Sequence, residues 1–145
     1  MGLRHSLAHP DHDPGRYYRH AAKDHSKVTK GIDVNHFVEV RSYNLKPGTR
    51  DEFHRLFLEE AFPMLQRWNV DVVAYGPSIH DQDSYFLIRR FDTLAGREES
   101  ENAFYGSDEW KQGPREAIIA LIENYTEIVL ELEEATIDGL RSIQH

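Results

Sequence analysis

The chain has 145 residues, with 17 Lys+Arg against 25 Asp+Glu and no cysteine. One domain is the expected count at this length, and the acidic balance argues against nucleic acid and anionic membrane as partners. The missing thiols exclude disulfides, thiol catalysis, thiolate zinc sites and iron–sulfur clusters. No apolar run approaches the ~18 residues of a membrane span, and the N-terminal residues lack the apolar stretch of a secretory signal, so a cytoplasmic protein is expected.

Residues 1–36 carry six His, six Lys+Arg and four Asp+Glu, with few large aliphatics. Such a composition cannot offset the entropy of ordering, so it reads as a flexible N-terminal tail. His5, His9, His12, His20 and His25 lack the rigid frame that metal ligands need, and no metal is expected. From Phe37 the pattern changes. Val38, Val40 and Ser42 alternate with Glu39, Arg41 and Tyr43, the period of a strand with two unlike faces. Lys46-Pro47-Gly48 stops that strand, and Thr49 with Glu52 has the spacing of a capping box.

A helix follows from Arg50 to Trp68, with Phe53, Leu56, Phe57, Ala61, Met64, Leu65 and Trp68 on one face. Pro63 predicts a kink near Glu59–Phe62, and Asn69 closes the helix. Val70 to Tyr75 and Ser84 to Phe91 read as strands joined in an antiparallel hairpin. Asp92 or Thr93 caps a second helical region that ends at Gly106. Ser107 caps a short turn, and Pro114 opens a helix running to about Asn124. Tyr125 to Leu132 alternates as a fourth strand. Residues 133–145 form a C-terminal extension with a helical turn around Ile137, Leu140 and Ile143.

The order β-α-β-β-α-β predicts an α+β fold, the ferredoxin-like sandwich: one four-stranded antiparallel sheet with helices on one face, over residues 37–132. If the valines face the helices, the other sheet face carries Glu39, Arg41 and Tyr43, and a homodimer through that face is expected.

Arg41 and Arg90 lie within strands, where an arginine must be paired or solvated. They read either as an anion clamp or, the stronger reading, as structural ion pairs with Glu39, Glu127 or Glu131. Tyr43, Tyr75 and Tyr85 are core residues or a pocket lining with polar tips. Asp108 and Trp110 sit where a lid over a pocket would be, although Trp110 also suits a core anchor. The candidate ligand-binding set is therefore Arg41, Tyr43, Tyr75, Arg90, Asp108 and Trp110. No catalytic set emerges. His54 and His80 show no orienting partner in sequence beyond Asp51, three residues before His54. No dinucleotide fingerprint, phosphate loop or nucleophile elbow is present.

Val38-Glu-Val-Arg-Ser-Tyr43 with Leu45-Lys-Pro-Gly48, Arg90-Phe-Asp-Thr-Leu94, Phe104-Tyr-Gly-Ser-Asp-Glu-Trp110 and Tyr125-Thr-Glu-Ile128 together resemble the NIPSNAP family. The resemblance covers about residues 37–132 and implies a dimeric α/β barrel, in which two ferredoxin-like sheets pack against each other. It implies no reaction and no catalytic set. The wider superfamily is similar in shape to cofactor-free monooxygenases, haem-degrading enzymes and sugar mutarotases, and shape alone does not transfer chemistry. The reading is a homodimeric, cofactor-free small-molecule-binding or interaction module. The alternative is a cofactor-independent monooxygenase or isomerase acting on a small aromatic or carbonyl compound.

Overall fold

Strand β1 (Asn35–Leu45) is central in a sheet of order β2-β3-β1-β4, with β2 (Asp71–Pro77), β3 (Ser84–Phe91) and β4 (Ile122–Glu133). Every neighbouring pair is antiparallel, as the ferredoxin-like α+β fold requires. The structure, a computed structural model, describes residues 34–143. The tail expected over residues 1–36 therefore lies outside the described residues up to 33. Its last two residues belong instead to β1, since Asn35 pairs with Glu133 and His36 with Leu132. A chain starting at Asn35 keeps the whole strand. It should melt within about one or two degrees of the full chain, less than the shift for ~1 kcal/mol. Loss of cooperative unfolding in that truncation would place the earlier residues in the core.

Gly48, at φ 79°, turns the chain from β1 into α1 (Arg50–Leu56). The capping box does not form. Thr49 Oγ1 donates to Lys46 O at 2.7 Å, and Glu52 is engaged by Arg55, so the side chains close the turn and an exposed pair rather than the helix end. The kink expected from Pro63 is a π-helical turn (Phe57–Ala61) between α1 and α2 (Phe62–Arg67). The Phe62 N–H reaches back five residues to Phe57 O. Widening the turn before a proline relieves the clash of its ring with the carbonyl four residues earlier. Asn69, at φ 60°, closes α2 in the left-handed conformation that asparagine tolerates.

Thr93 caps α3 (Leu94–Gly106) by accepting from the Gly96 N–H at 2.8 Å, and Ser107 caps α4 (Asp108–Gln112) by accepting from the Trp110 N–H. After Pro114, α5 (Arg115–Ile119) is shorter than the sequence pattern suggested, and β4 starts at Ile122 rather than Tyr125. Ladder bonds to β1 pull these residues into the sheet, where Leu45 pairs with Ile122. The C-terminal residues form α6 (Glu134–Leu140).

The two sheet faces are the reverse of the sequence expectation. Tyr43 packs on Phe53 of α1, ring centroids 5.2 Å apart, so Glu39, Arg41 and Tyr43 point toward the helices. Val38, Val40, Ile88 and Phe86 point the other way, where Ile137 of α6 is fully buried against them with Leu140 and Ile143 nearby. Apolar alternation in a strand shows which side chains share a face, not which face the helices cover. Helix α6 covers only part of the valine side. Ile128 and Leu130, paired with Val40 and Val38, remain 57% and 41% exposed.

Candidate functional site

The helix side of the sheet holds a buried ionic network next to an aromatic layer. The network is built by strand register. Glu39 lies across from Arg89 on β3, and Arg41 lies across from Glu127 on β4, so opposite charges meet as cross-strand neighbours. Helix α3 adds Arg97, Glu101 and Tyr105, spaced four residues apart and hence on one helix face. Glu39 is fully buried. Its Oε2 accepts from Arg41 Nε at 3.1 Å and Arg89 Nη2 at 2.9 Å, and its Oε1 accepts from Arg97 Nε at 3.2 Å. Arg41 Nη2 also donates to Glu127 Oε1 at 2.8 Å, and Arg89 Nη2 donates to Glu101 Oε2 at 3.0 Å. The Tyr105 hydroxyl accepts from both Arg41 and Arg89. The Arg41 guanidinium lies 4.4 Å from the Tyr125 ring centroid, a cation–π contact.

Burial alone would raise the Glu39 carboxyl, but the Arg89 and Arg41 guanidiniums beside it hold it well below the usual carboxylate range. Glu101 goes the other way. Burial, opposed by Arg89 and reinforced by a hydrogen bond with Glu39, pushes it up to about 8. Burial also pushes the Tyr43 hydroxyl up to about 12. Carboxylate oxygens of Glu39, Glu101 and Glu127 lie within 4.8 Å of one another, a spacing that suits a metal ion. Arg41, Arg89 and Arg97 already occupy these carboxylates, so a cation would have to displace guanidiniums that pair with them at short range.

In the aromatic layer, Phe53 packs edge-on to Tyr85 at 4.9 Å, and Tyr75 lies against Phe57 and Phe62. His54 Nδ1 and the Tyr85 hydroxyl are 2.6 Å apart. A strand tyrosine, Tyr85, thus orients His54, a partner that the sequence did not reveal.

Of the six ligand-binding candidates, four share this side of the sheet: Arg41, Tyr43, Tyr75 and Trp110, the last packed on Phe104 and Tyr105. Arg90 points to the opposite face, bound to Glu134 of α6 and to Asp92. Asp108 is exposed in the first turn of α4. Arg89, Arg97, Glu101 and Tyr105 were not singled out in the sequence. The signal for the α3 members was their i, i+4, i+8 spacing, whereas choosing Arg89 over its neighbour Arg90 needs the strand register.

Solved structures with this fold include an uncharacterized NIPSNAP-like domain protein from Burkholderia xenovorans, 21% identical at TM-score 0.61 over 66% of this chain and 83% of that one. A NIPSNAP family protein of unknown function from Agrobacterium tumefaciens is 22% identical at TM-score 0.62 over 68% and 88%. A protein from Shewanella oneidensis is 15% identical at TM-score 0.52 over 70% and 95%. No family model matches the sequence, and no curated protein matches it. The chain thus has the fold of NIPSNAP proteins, in support of the resemblance carried by its motifs. Among the described residues no helix is long and apolar enough to cross a membrane.

Proposed function

We propose that this chain is a NIPSNAP-like module that works as a homodimer in the cytoplasm and holds a small molecule or a partner without a bound cofactor. The observation that carries the dimer is the partly uncovered apolar sheet face, with Ile128 and Leu130 exposed beside Val40. A second copy of the same face buries these side chains and closes two sheets on each other. The ligand side of the proposal rests on the helix-facing layer, where Tyr75 is half-buried and shares a side of the sheet with the buried rings of Tyr43 and Trp110 and the buried Arg41 guanidinium. The pairing of Arg41 with Glu39 and Glu127 speaks for retention of a neutral or aromatic molecule rather than an anion.

A second reading, an isomerase or monooxygenase without cofactor, is favoured by one observation. Glu39 and Glu101 are pushed in opposite directions, the arrangement that separates an acid from a base. Native mass spectrometry of freshly purified protein tests the proposal. The expected spectrum shows twice the chain mass and a co-purified small-molecule adduct. A monomer mass across the micromolar range would remove the dimer. Turnover of the released compound by the protein would favour the enzyme reading.

A further inference from the structure

We propose that α6 is a wall of the homodimer interface, and that it makes the two copies meet with their β4 strands antiparallel, the open end of each sheet seated against the α6 of the other. The inference rests on the homodimer proposed above and adds its geometry.

Helix α6 crosses the valine face at one end of the strands. It leaves β4 at Glu133 and reaches β2, where Arg141 donates to both oxygens of Asp71 at 2.9 Å. On the way Arg90 Nη2 donates to Glu134 at 3.1 Å. Asp71 is the first residue of β2 and pairs with Arg90, so both ion pairs mark the same end of the sheet. Glu134, Asp138 and Arg141 share one flank by their spacing of four and three, and that flank faces the strand ends. Ile137 is fully buried in one cluster with Val38, Val73, Ala74 and Ile88 beneath the helix. Thr136 and Leu140 share the opposite flank, toward the open part of the sheet, and Ile143 extends it in the turn that follows. Leu140 and Ile143 are half-buried, and Thr136 is exposed. Val40, Phe86, Ile128 and Leu130 form a floor, and this flank is an apolar wall at its edge.

Sheets stacked face to face stand about 10 Å apart, and an α-helix with its side chains is about 10–12 Å across. A helix lying on one sheet therefore fills the gap, and the partner's sheet cannot pass over it. A two-fold axis brings two such helices into the gap. With the strands of the two sheets parallel, both helices span the same end and collide. With the strands antiparallel, they fall at opposite ends, the two open floors meet, and each α6 stands at the end of the other's sheet. A stable interface takes about 800 Å² from each partner, on the order of 20–30 residues. The four floor side chains fall short of that, and the α6 flank extends the same apolar cluster. The wall belongs to the C-terminal extension, beyond the motifs that resemble NIPSNAP.

The chain has no cysteine, so a single introduced one carries a spin label at a chosen site. Glu123→Cys and Glu133→Cys place labels at exposed positions near the two ends of β4, with Ile128 midway. Pulsed electron double resonance on the full chain should find like-labelled copies roughly 30 Å apart or more, since ten strand residues span about 33 Å. Mixing the two labelled chains should add a distance below about 20 Å, near the sheet spacing plus the label arms. Glu133 labels within about 20 Å of each other would overturn the arrangement and keep the dimer. Absence of any dipolar signal would remove the dimer and the arrangement together. Leu140→Asp tests the wall. Sedimentation equilibrium should show a dissociation constant raised at least about tenfold, with unchanged circular dichroism. An unchanged constant would overturn the role of α6. If Leu140→Asp does not fold, Thr136→Lys on the same flank reads the same contact with the same two outcomes.

Discussion

Glu39→Ala should lower the melting temperature by on the order of 10–20 °C, or abolish cooperative folding. Removing one partner of a buried ion pair costs about 3–5 kcal/mol, because the remaining charge is stranded without water. Here the removed carboxylate is fully buried and bonds Arg41, Arg89 and Arg97 at once, so three guanidiniums lose a partner on three different elements. Arg89 is itself almost fully buried, and its Nε already has no acceptor among the described residues. Glu39→Gln keeps volume and an acceptor oxygen and should fall between wild type and Glu39→Ala. Glu52→Ala, which removes an exposed partner of Arg55, should leave the melting curve in place. Circular dichroism melts of the three variants check the order. A Glu39→Ala chain melting within about two degrees of wild type would show that the network contributes little to the fold.

Ile128→Asp and Leu130→Asp, singly and together, should convert a homodimer to monomer without loss of secondary structure. Both side chains lie on the sheet face opposite α1, on the part that α6 leaves open, and are already partly in water, so an aspartate there costs the isolated protomer little. At the centre of a sheet-to-sheet interface the same aspartate is buried without a counter-charge. A loss of at least ~2 kcal/mol, about thirty-fold in dissociation constant, is the scale for an interface anchor. Leu58→Asp serves as the comparison, since Leu58 is also exposed but lies in the helical layer. Sedimentation equilibrium should give twice the chain mass for wild type and Leu58→Asp, and the chain mass for the β4 variants. Wild-type protein that sediments as a monomer would remove the dimer. β4 variants that still sediment as dimers would move it to another face.

The features that proved legible in the sequence share one physical property: they depend on a few adjacent residues. Thr93 and Ser107 cap their helices because a hydroxyl at that position reaches an N–H two or three residues on. Pro63 disturbs the helix one turn before itself because its ring crowds the carbonyl four residues back. Asn69 ends α2 because asparagine tolerates a left-handed turn. Period-two alternation likewise showed that Val38 and Val40 share one face of β1 and that Glu39, Arg41 and Tyr43 share the other. The apparent capping box of Thr49 and Glu52 marks the limit of such reasoning. The spacing is present, but Lys46 O and Arg55 offer these side chains better partners.

What the sequence by itself determined is therefore the order of elements, most helix ends, and which residues travel together on a face. The sequence pattern together with its NIPSNAP resemblance was enough for the ferredoxin-like fold. Only the tertiary structure decided which face of the sheet the helices cover. A charged face can be buried when other elements bring matching charges, and those come from residues far apart in the chain. Glu39 meets Arg89 fifty residues away and Glu127 joins Arg41 from the last strand, through registers that no local pattern encodes. The same register sends Arg89 into the network and Arg90 to α6, because neighbouring strand residues point to opposite sides.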